Sequence, residues 1–221
     1  MIKVAQCWDD GVINDARVAD LCRKYGAKAT FNLCPGSHLK KHRITEGWFF
    51  KDNYCPGRLA WDEVRDVYNG FEVASHTMCH CNAAEVDAKM FLEQAVSAKR
   101  VLEDHFCRPC NGFAWPYGAS TEETRDLLRH AGFAYGRTTG YVEHVIPCGD
   151  PMELHSNCHF QNPEFWTIFE KAKSCGVFYF WGHSYEMMND ETLWAEYEDK
   201  LQRLSANPEV KWVNVVDLVK N

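Results

Sequence analysis

The feature that most constrains this chain is a pair of adjacent acidic residues at the end of its first apolar segment. Residues 2–8 form that segment, and Asp9, Asp10 and Gly11 follow it directly. Adjacent like charges repel each other, and burying them without partners costs free energy. Because a cation placed between the two carboxylates reverses this cost, we predict that Asp10 binds a metal ion and that Asp9 accepts protons beside it.

Strand-like and helix-like patterns alternate along the rest of the chain. Strand, helix and strand joined by short connectors imply parallel pairing with a right-handed crossover. The alternation predicts six or seven parallel strands with helices outside them, in a barrel or a doubly wound sheet. The predicted strands are residues 2–8, 29–33, 71–75, 113–115, 133–136, 177–181 and 211–213. The predicted helices are approximately residues 14–25, 61–68, 84–105, 120–131, 162–174 and 190–204.

Two long segments, residues 35–59 and 137–161, show neither pattern and are predicted to be irregular. Loops this long in compact domains are usually functional or disordered, and the aromatic residues of the first segment argue against disorder. These rings either pack the segment onto the domain or line a groove for a ring-shaped substrate. Trp48 is the candidate substrate contact among them.

Size and composition exclude several classes of protein. The chain has 221 residues, 46% of them hydrophobic, which suffices for one core and a single domain over residues 1–221. Its net charge of −7 argues against nucleic acid or an anionic membrane as the main partner. The sequence has no apolar run of about 18 residues, so no membrane-spanning helix is expected.

The eleven cysteines bear on the cellular location. Their number is odd and the N-terminus does not resemble a signal peptide, so free thiols in a reducing compartment are favoured over a disulfide framework. We therefore expect a cytoplasmic protein. The sequence makes no prediction of the oligomeric state.

His76 and His80 supply the imidazoles that a metal site needs. Four positions apart on a helical turn, they face the same side and can bind one cation. With Asp10 they offer two nitrogens and one carboxylate oxygen, and they leave a position open for water, as catalytic zinc sites do. Tyr117 and His183 also follow predicted strands, and the carboxyl ends of parallel strands are where active sites lie.

Four cysteines offer a rival metal site. Cys79 and Cys81 form a C-x-C pair, and Cys107 and Cys110 form a C-x₂-C pair. Together they could form a structural zinc site or two disulfides. We favour the histidine site, because Cys79 and His80 cannot easily serve two sites that face opposite ways.

Four short motifs resemble those of a known family. Residues 6–11, Gln-Cys-Trp-Asp-Asp-Gly, are similar to T-F-D-D-G, and residues 76–80 match H-[ST]-x-x-H. Residues 116–118, Pro-Tyr-Gly, match the end of R-x-P-Y-G, and His183 matches the histidine of L-x-L-x-H. In this order they resemble the motifs of the polysaccharide deacetylases, the NodB-homology domain of carbohydrate esterase family four.

The resemblance implies a fold, an activity and a cofactor. The fold is a distorted (β/α) barrel with about seven parallel strands. The activity is metal-dependent removal of acetyl groups from an N- or O-acetylated sugar or glycan. The cofactor is a divalent metal ion, with zinc as the first candidate and cobalt, nickel or manganese as the others.

The resemblance also assigns roles to individual residues. Asp10, His76 and His80 would hold the metal ion, and Asp9 would be the general base. The backbone N–H of Tyr117 would bind the oxyanion, and His183 would protonate the leaving group. Candidate substrate contacts, besides Trp48, are Trp115, Pro116, Tyr117 and Arg137.

The chain departs from the family pattern at two motifs. Ala114 occupies the position of the arginine that pairs with the catalytic aspartate, and no D-x-x-D-W sequence is present. We hypothesise that Arg137, at the end of the next strand, replaces that arginine; an ordinary surface arginine is the alternative. Glu186 either orients the imidazole of His183 or caps a nearby helix.

These departures keep two other functions open. Relatives without the usual arginine include hydrolases that resemble allantoinase and the cyclic imide hydrolases, which open ring amides. A third hypothesis is a carbohydrate-binding barrel without catalysis. The joint presence of Asp9, Asp10, His76, His80 and His183 argues against that third hypothesis.

Overall fold

A nearly closed ring of parallel strands, surrounded by helices, forms the centre of the protein. The computed structural model describes residues 1–51 and 54–220. The strands are β1 (Ile2–Asp9), β2 (Thr30–Leu33), β3 (Glu72–Ser75), β4 (Gly112–Ala114), β5 (Tyr135–Tyr141), β6 (Leu154–Ser156), β7 (Cys158–His159), β8 (Val177–Gly182) and β9 (Val210–Trp212). The α-helices are α1 (Asp15–Tyr25), α2 (Trp61–Val67), α3 (Ala88–Phe106), α4 (Glu122–His130), α5 (Phe165–Ala172), α6 (Glu191–Ala206) and α7 (Val216–Val219).

The order of the strands explains how the ring closes. They pair in the order β6-β5-β4-β3-β2-β1-β8-β7, while β9 pairs with the first residues of β1. Only Asn157 separates β6 from β7, so one segment pairs with β5 on one side and with β8 on the other. β1 to β5, this joined segment and β8 therefore make a ring of seven parallel strands, which confirms the predicted distorted barrel.

Side chains alternate between the outer and the inner face of the ring. On β1, Val4 and Trp8 belong to the outer core that packs under the helices, whereas Ala5 and Cys7 belong to the inner core. Because successive side chains of a strand point to opposite faces, Asp9 continues the inner row at the carboxyl end of β1.

The same alternation directs two further polar residues into the ring. Tyr135 of β5 belongs to the inner core, and Arg137 follows it by two positions. Tyr179 and Trp181 of β8 are also inner-core residues. His183 follows them with an extended backbone, so it continues their row. Barrel geometry thus brings residues from β1, β5 and β8 to one end of the ring.

The prediction of an irregular segment at residues 137–161 is wrong in part. β5 continues to Tyr141, and β6 and β7 occupy most of residues 154–159. The inward positions of β5 carry polar residues and the strand contains Gly140, so the apolar alternation of an ordinary strand is missing.

Side chains cap the first turns of α3, α4 and α6, with Asp190 as the cap of α6. α3 begins at Ala88, later than predicted, because Asp87 Oδ1 accepts the N–H of Met90 at 2.9 Å. Thr121 caps α4 by accepting the N–H of Thr124 at 3.1 Å. Within residues 1–51 and 54–220, no helix combines the length and the hydrophobicity needed to cross a membrane.

Candidate active site

Three side chains from the loops after β1 and β3 converge on one point. Asp10 Oδ1 lies 3.9 Å from His76 Nε2 and 3.6 Å from His80 Nε2. Ligands of one tetrahedral ion, each at about 2.1 Å from it, lie roughly 3.4 Å apart. Small side-chain movements therefore suffice for these three residues to share a divalent cation.

Hydrogen bonding decides which nitrogen of His76 faces this point. Its Nδ1 lies 2.8 Å from the carbonyl oxygen of Ala114, which only accepts, so Nδ1 carries the proton and Nε2 presents a lone pair. Burial lowers the pKa of His76 to about 4, and burial also lowers the pKa of His80. Both imidazoles are therefore neutral near neutral pH, the form that binds metal ions.

Asp9 lies beside this group and is paired with a buried arginine. Arg137 Nη2 donates to both carboxylate oxygens of Asp9, and Asn32 Nδ2 donates to Asp9 Oδ1 at 2.7 Å. Burial by itself raises the pKa of Asp9, but the Arg137 guanidinium outweighs burial and holds that pKa well below its usual range. Asp9 is therefore ionised, and Arg137 makes the contact that was hypothesised from the sequence.

His183 faces Asp9 from the end of β8. Its Nε2 lies 3.8 Å from Asp9 Oδ2, and its Nδ1 lies 3.2 Å from Glu186 Oε1. The other oxygen of Glu186, Oε2, lies 2.9 Å from His159 Nε2. Burial lowers the pKa of His183, but the carboxylates of Glu186 and Asp9 outweigh burial and the net shift is upward. His183 is thereby suited to carry and release a proton near neutral pH.

The side chains of Asp9, Asp10, His76, His80 and His183 line one cavity of about 480 Å³ at the carboxyl end of the ring. Of the predicted substrate contacts, Trp48, Trp115 and Tyr117 belong to its lining. Pro116 and Arg137 are buried, and neither belongs to the lining formed by the described residues. Arg137 contacts Asp9 from behind the lining, and its role as a substrate contact stays a prediction.

Sequence reasoning did not assign six of the lining residues to this site: Ser37, Arg58, Cys79, Thr139, Trp181 and Tyr185. Trp181 and Tyr185 flank His183 along the chain, and this proximity was a signal that could have identified them. Thr139 lies on the part of β5 that was taken to be irregular. Arg58 lies in the segment of residues 35–59, where no pattern indicated its position.

The segment of residues 35–59 packs over the cavity. Trp48 and Phe50 meet Tyr185 edge-on, with ring centroids 4.8 and 4.9 Å from that of Tyr185. The guanidinium carbon of Arg58 lies 4.9 Å from the centroid of the Trp48 ring. Trp48 therefore packs this segment onto the domain and also lines the cavity. Packing and lining were the two alternatives for the aromatic rings of this segment, and Trp48 does both.

The turn at residues 116–118 forms another wall of the cavity. The ring centroid of Tyr117 lies 4.6 Å from that of His80. A Cβ atom at Gly118 would lie 2.2 Å from Thr139 Oγ1, so only glycine fits this close approach to β5. The turn thus places Tyr117 beside the candidate metal ligands, and the oxyanion role of its N–H stays a prediction.

Several residues around the cavity adopt the left-handed backbone conformation. Asp10, Thr77, His80 and Tyr117 have φ values of 82°, 65°, 59° and 60°. Side chains with a Cβ atom seldom adopt this conformation, which costs about 1–3 kcal/mol and persists where the surrounding structure enforces it. Such strain clusters at functional sites.

The rival cysteine site does not form. All eleven cysteines are free thiols. In the part of the chain that the structure describes, the groups close enough to share an ion contain only histidine and carboxylate side chains. Cys79 and Cys107 are exposed whereas Cys110 is buried.

Comparison with known proteins relates the sequence to one family. A family model described as polysaccharide deacetylase matches residues 2–136. No curated protein matches the chain at a significant level.

The solved structures of a chitin deacetylase and a peptidoglycan deacetylase share the fold at low sequence identity. The chitin deacetylase from Colletotrichum lindemuthianum is 15% identical, with a TM-score of 0.61 over 99% of this chain and 88% of that one. The peptidoglycan deacetylase PdaC from Bacillus subtilis is 14% identical, with a TM-score of 0.60 over 98% of this chain and 89% of that one. The match to the Streptococcus pyogenes deacetylase PplD, 20% identical with a TM-score of 0.49, covers 61% of this chain and 55% of that one.

Proposed function

This chain belongs to the polysaccharide deacetylase family, and on that basis we propose that it is a metal-dependent hydrolase that removes acetyl groups from N- or O-acetylated sugars or glycans. The observation that carries the proposal is the group formed by Asp10, His76 and His80 beside an ionised Asp9. Two imidazole nitrogens and one carboxylate oxygen suit zinc with one position left open. Zinc is therefore the first candidate, and cobalt, nickel and manganese are the others.

Asp9 is the general base of the proposed reaction. A divalent cation held by Asp10, His76 and His80 would supply Lewis-acid chemistry for the acetyl carbonyl and for the attacking water. Because Arg137 keeps Asp9 ionised, the carboxylate is free to accept a proton from the attacking water near neutral pH. The hydrogen bonds from Asn32 and Arg137 fix the direction in which this carboxylate points.

His183 is the general acid. When the bond from the acetyl carbon to the sugar nitrogen or oxygen breaks, the leaving atom needs a proton, and acetate and the free amine or alcohol are the products. Glu186 holds Nδ1 of His183, so the Nε2 end faces the cavity beside Asp9. The N–H of Tyr117 donates to the developing oxyanion, an interaction worth about 3 kcal/mol in comparable sites.

Arg137 bears on the alternative that the protein opens ring amides. The alanine at position 114 pointed towards the allantoinase-like hydrolases, which lack the usual arginine. Arg137 reaches Asp9 from β5, so the contact expected of that arginine is present although it comes from another strand. This observation supports deacetylation over ring opening. It also supports catalysis over simple carbohydrate binding, because an ionised Asp9 and a hydrogen-bonded His183 share one cavity.

The cytoplasmic location stays a prediction. In the cytoplasm the substrate would be a small acetylated sugar or a precursor rather than a polymer of the cell wall.

Acetate release tests the proposal. The protein would be loaded in turn with Zn²⁺, Co²⁺, Ni²⁺ and Mn²⁺ and incubated with N-acetylglucosamine oligomers, an O-acetylated sugar and a cyclic imide. We expect acetate from an acetylated sugar and no ring opening. Asp9→Asn and His183→Ala should abolish the release, whereas His42→Ala, at an exposed histidine, should not change it.

Two outcomes would replace the proposal. Opening of the imide without acetate release would indicate the amide hydrolase. Absence of both products with every metal ion would indicate the carbohydrate-binding barrel.

A further inference from the structure

Resting on the proposed function, we propose that the substrate carries an anionic group, a carboxylate or a phosphate, and that Arg58 binds it. Arg58 lines the same cavity as Asp10, His80 and His183. The anion would lie next to the candidate metal ligands, within the space that the sugar occupies.

Arg58 is held in place at both its backbone and its side chain. Its N–H donates to the carbonyl oxygen of Ile44 at 2.7 Å, and the N–H of Ile44 donates to the carbonyl oxygen of Arg58 at 3.0 Å. Its Nη1 donates to the backbone carbonyl oxygen of Asp10, and its guanidinium lies over the ring of Trp48. A guanidinium fixed before binding loses little conformational entropy when it meets a ligand.

The charge of Arg58 has no protein partner in the part of the chain that the structure describes. Its hydrogen-bond acceptor there is the neutral carbonyl of Asp10, and no carboxylate forms an ion pair with it. The carboxylate of Asp10 faces the two imidazoles. Asp15, another nearby carboxyl, is buried against Tyr68, and burial raises its pKa to about 7, which makes it a poor counter-charge.

The contrast with Arg137 shows what Arg58 is available for. Arg137 is buried and neutralised by Asp9, whereas Arg58 is half-buried and lines the cavity. A guanidinium has five N–H donors in a planar fork. The carbonyl oxygen of Asp10 accepts from Nη1 of Arg58, and the donors on the other two nitrogens of Arg58 are not used by Asp10. The fork matches the oxygens of a carboxylate or a phosphate, and such charge-assisted bonds are the strong ones.

Matched sugars with and without the anion test this inference. The substrates would be N-acetylglucosamine, its 6-phosphate and N-acetylmuramic acid, which separate the neutral sugar, the phosphate and the carboxylate. We expect a kcat/KM about 10- to 100-fold higher for at least one anionic sugar than for the neutral one. High salt should reduce this preference.

The variants isolate the charge of Arg58. Arg58→Gln keeps an N–H donor for Asp10 but removes the charge, and it should abolish the preference mainly by raising KM. Arg58→Lys should retain part of the preference. Arg43→Gln is the matched control, because Arg43 lies in the same segment but pairs with Glu63, and it should keep the full preference.

Binding of the deacetylated sugars separates the two proposals. Calorimetry would compare glucosamine, glucosamine 6-phosphate and muramic acid, with thermal melting to verify that each variant is folded. Tighter binding of an anionic sugar that Arg58→Gln removes supports the inference, even if no acetate is released and the proposed function fails. Equal rates and equal affinities for neutral and anionic sugars, or a preference that survives in Arg58→Gln, would overturn it.

Discussion

At the scale of single residues, Asp9 and Arg137 form a buried ion pair in the candidate site. The two residues are 2% and 1% exposed, and in the described chain Arg137 Nε and Nη1 have no hydrogen-bond partner. The buried positive charge of the guanidinium is therefore compensated by the carboxylate of Asp9. Breaking a buried pair by removing one partner usually costs about 3–5 kcal/mol, because the other charge is left buried.

We predict that Arg137→Met lowers the free energy of unfolding by about 3–5 kcal/mol, measured by urea denaturation. Arg129→Met is the control, since Arg129 pairs with Asp150 at the surface and its loss should cost less than about 1 kcal/mol. The double variant Asp9→Asn/Arg137→Met should lose less free energy of unfolding than the two single variants lose in sum. Additive losses would contradict the coupling of the two side chains.

Metal binding can be tested without any substrate. Zn²⁺ should raise the melting temperature of the wild-type protein, because a ligand that binds only the native state stabilises it, by about 2.7 kcal/mol at a concentration of about 100 times its Kd. The stabilisation should vanish in His76→Ala and in Asp10→Ala and persist in His42→Ala. Equal stabilisation of all four proteins would place the ion elsewhere.

At the scale of secondary-structure elements, Asp15 joins the start of α1 to two other elements. The hydroxyl of Tyr68, after α2, donates to Asp15 Oδ2 at 2.7 Å, and the hydroxyl of Ser184, after β8, donates to Asp15 Oδ1. Burial raises the pKa of Asp15 from 3.8 to about 7, although these hydrogen bonds oppose the shift. The native protein thus favours the protonated carboxyl.

This raised pKa predicts a stability that falls as pH rises. Below 3.8 both the native and the unfolded states hold the proton, and between 3.8 and about 7 only the native state keeps it. As the pH rises through that window, the ionisation of Asp15 in the unfolded state should lower the free energy of unfolding by about 1.4 kcal/mol per pH unit. Urea unfolding of Asp15→Asn should lack this contribution, and wild-type and variant curves that stay parallel across the window would contradict the assignment.

The segment of residues 35–59 should contribute to binding through Trp48. Trp48→Ala removes its edge-on contact with Tyr185 and a wall of the cavity, so we predict a 3- to 10-fold rise in KM, about 0.5–1.5 kcal/mol, with a smaller change in kcat. Phe49→Ala is the matched control, because the neighbouring ring is 59% exposed. A similar rise in both variants would indicate a general disturbance of the segment.

Sequence reasoning identified the candidate site residues that directly follow apolar strands. Asp10, His76 and His183 come after such strands, and parallel pairing then brings the strand ends together. Arg58 could not be located, because its approach to Asp10 depends on the path of a segment that has no periodicity. The predicted strand at residues 133–136 ended too early, because the inward residues of β5 beyond it, Arg137 among them, are polar and do not continue an apolar pattern.

At the scale of the whole molecule, Asn157 joins the two edges of the ring. Its Nδ2 donates to the carbonyl oxygens of Val142 and Glu143, just beyond β5, at 3.1 and 2.9 Å. Its Oδ1 accepts the N–H of Tyr179 on β8 at 2.8 Å, and its own N–H donates to the carbonyl oxygen of Tyr179 at 2.7 Å. One side chain thus satisfies backbone groups on both sides of the closure.

We predict that Asn157→Ala lowers the free energy of unfolding by about 1–3 kcal/mol, because the buried N–H of Tyr179 loses its partner and two partly buried carbonyl oxygens lose theirs. Hydrogen exchange should accelerate first at the N–H of Tyr179. Asn162→Ala is the control, since Asn162 bonds only the nearby exposed N–H of Glu164 among the side-chain contacts described, and it should cost less than about 1 kcal/mol. Unchanged protection at Tyr179 would contradict the role of Asn157 in closing the ring.

The left-handed backbone at Asp10 and His80 lowers the stability of the fold at two positions that the proposed activity requires. Glycine would relax the chain at either position and, in the absence of metal, would make the protein more tolerant of heat. The same change would delete a candidate ligand. A laboratory selection for thermal stability alone would therefore favour glycine at positions 10 and 80. The selected variants would lose the proposed hydrolase activity while they kept the fold.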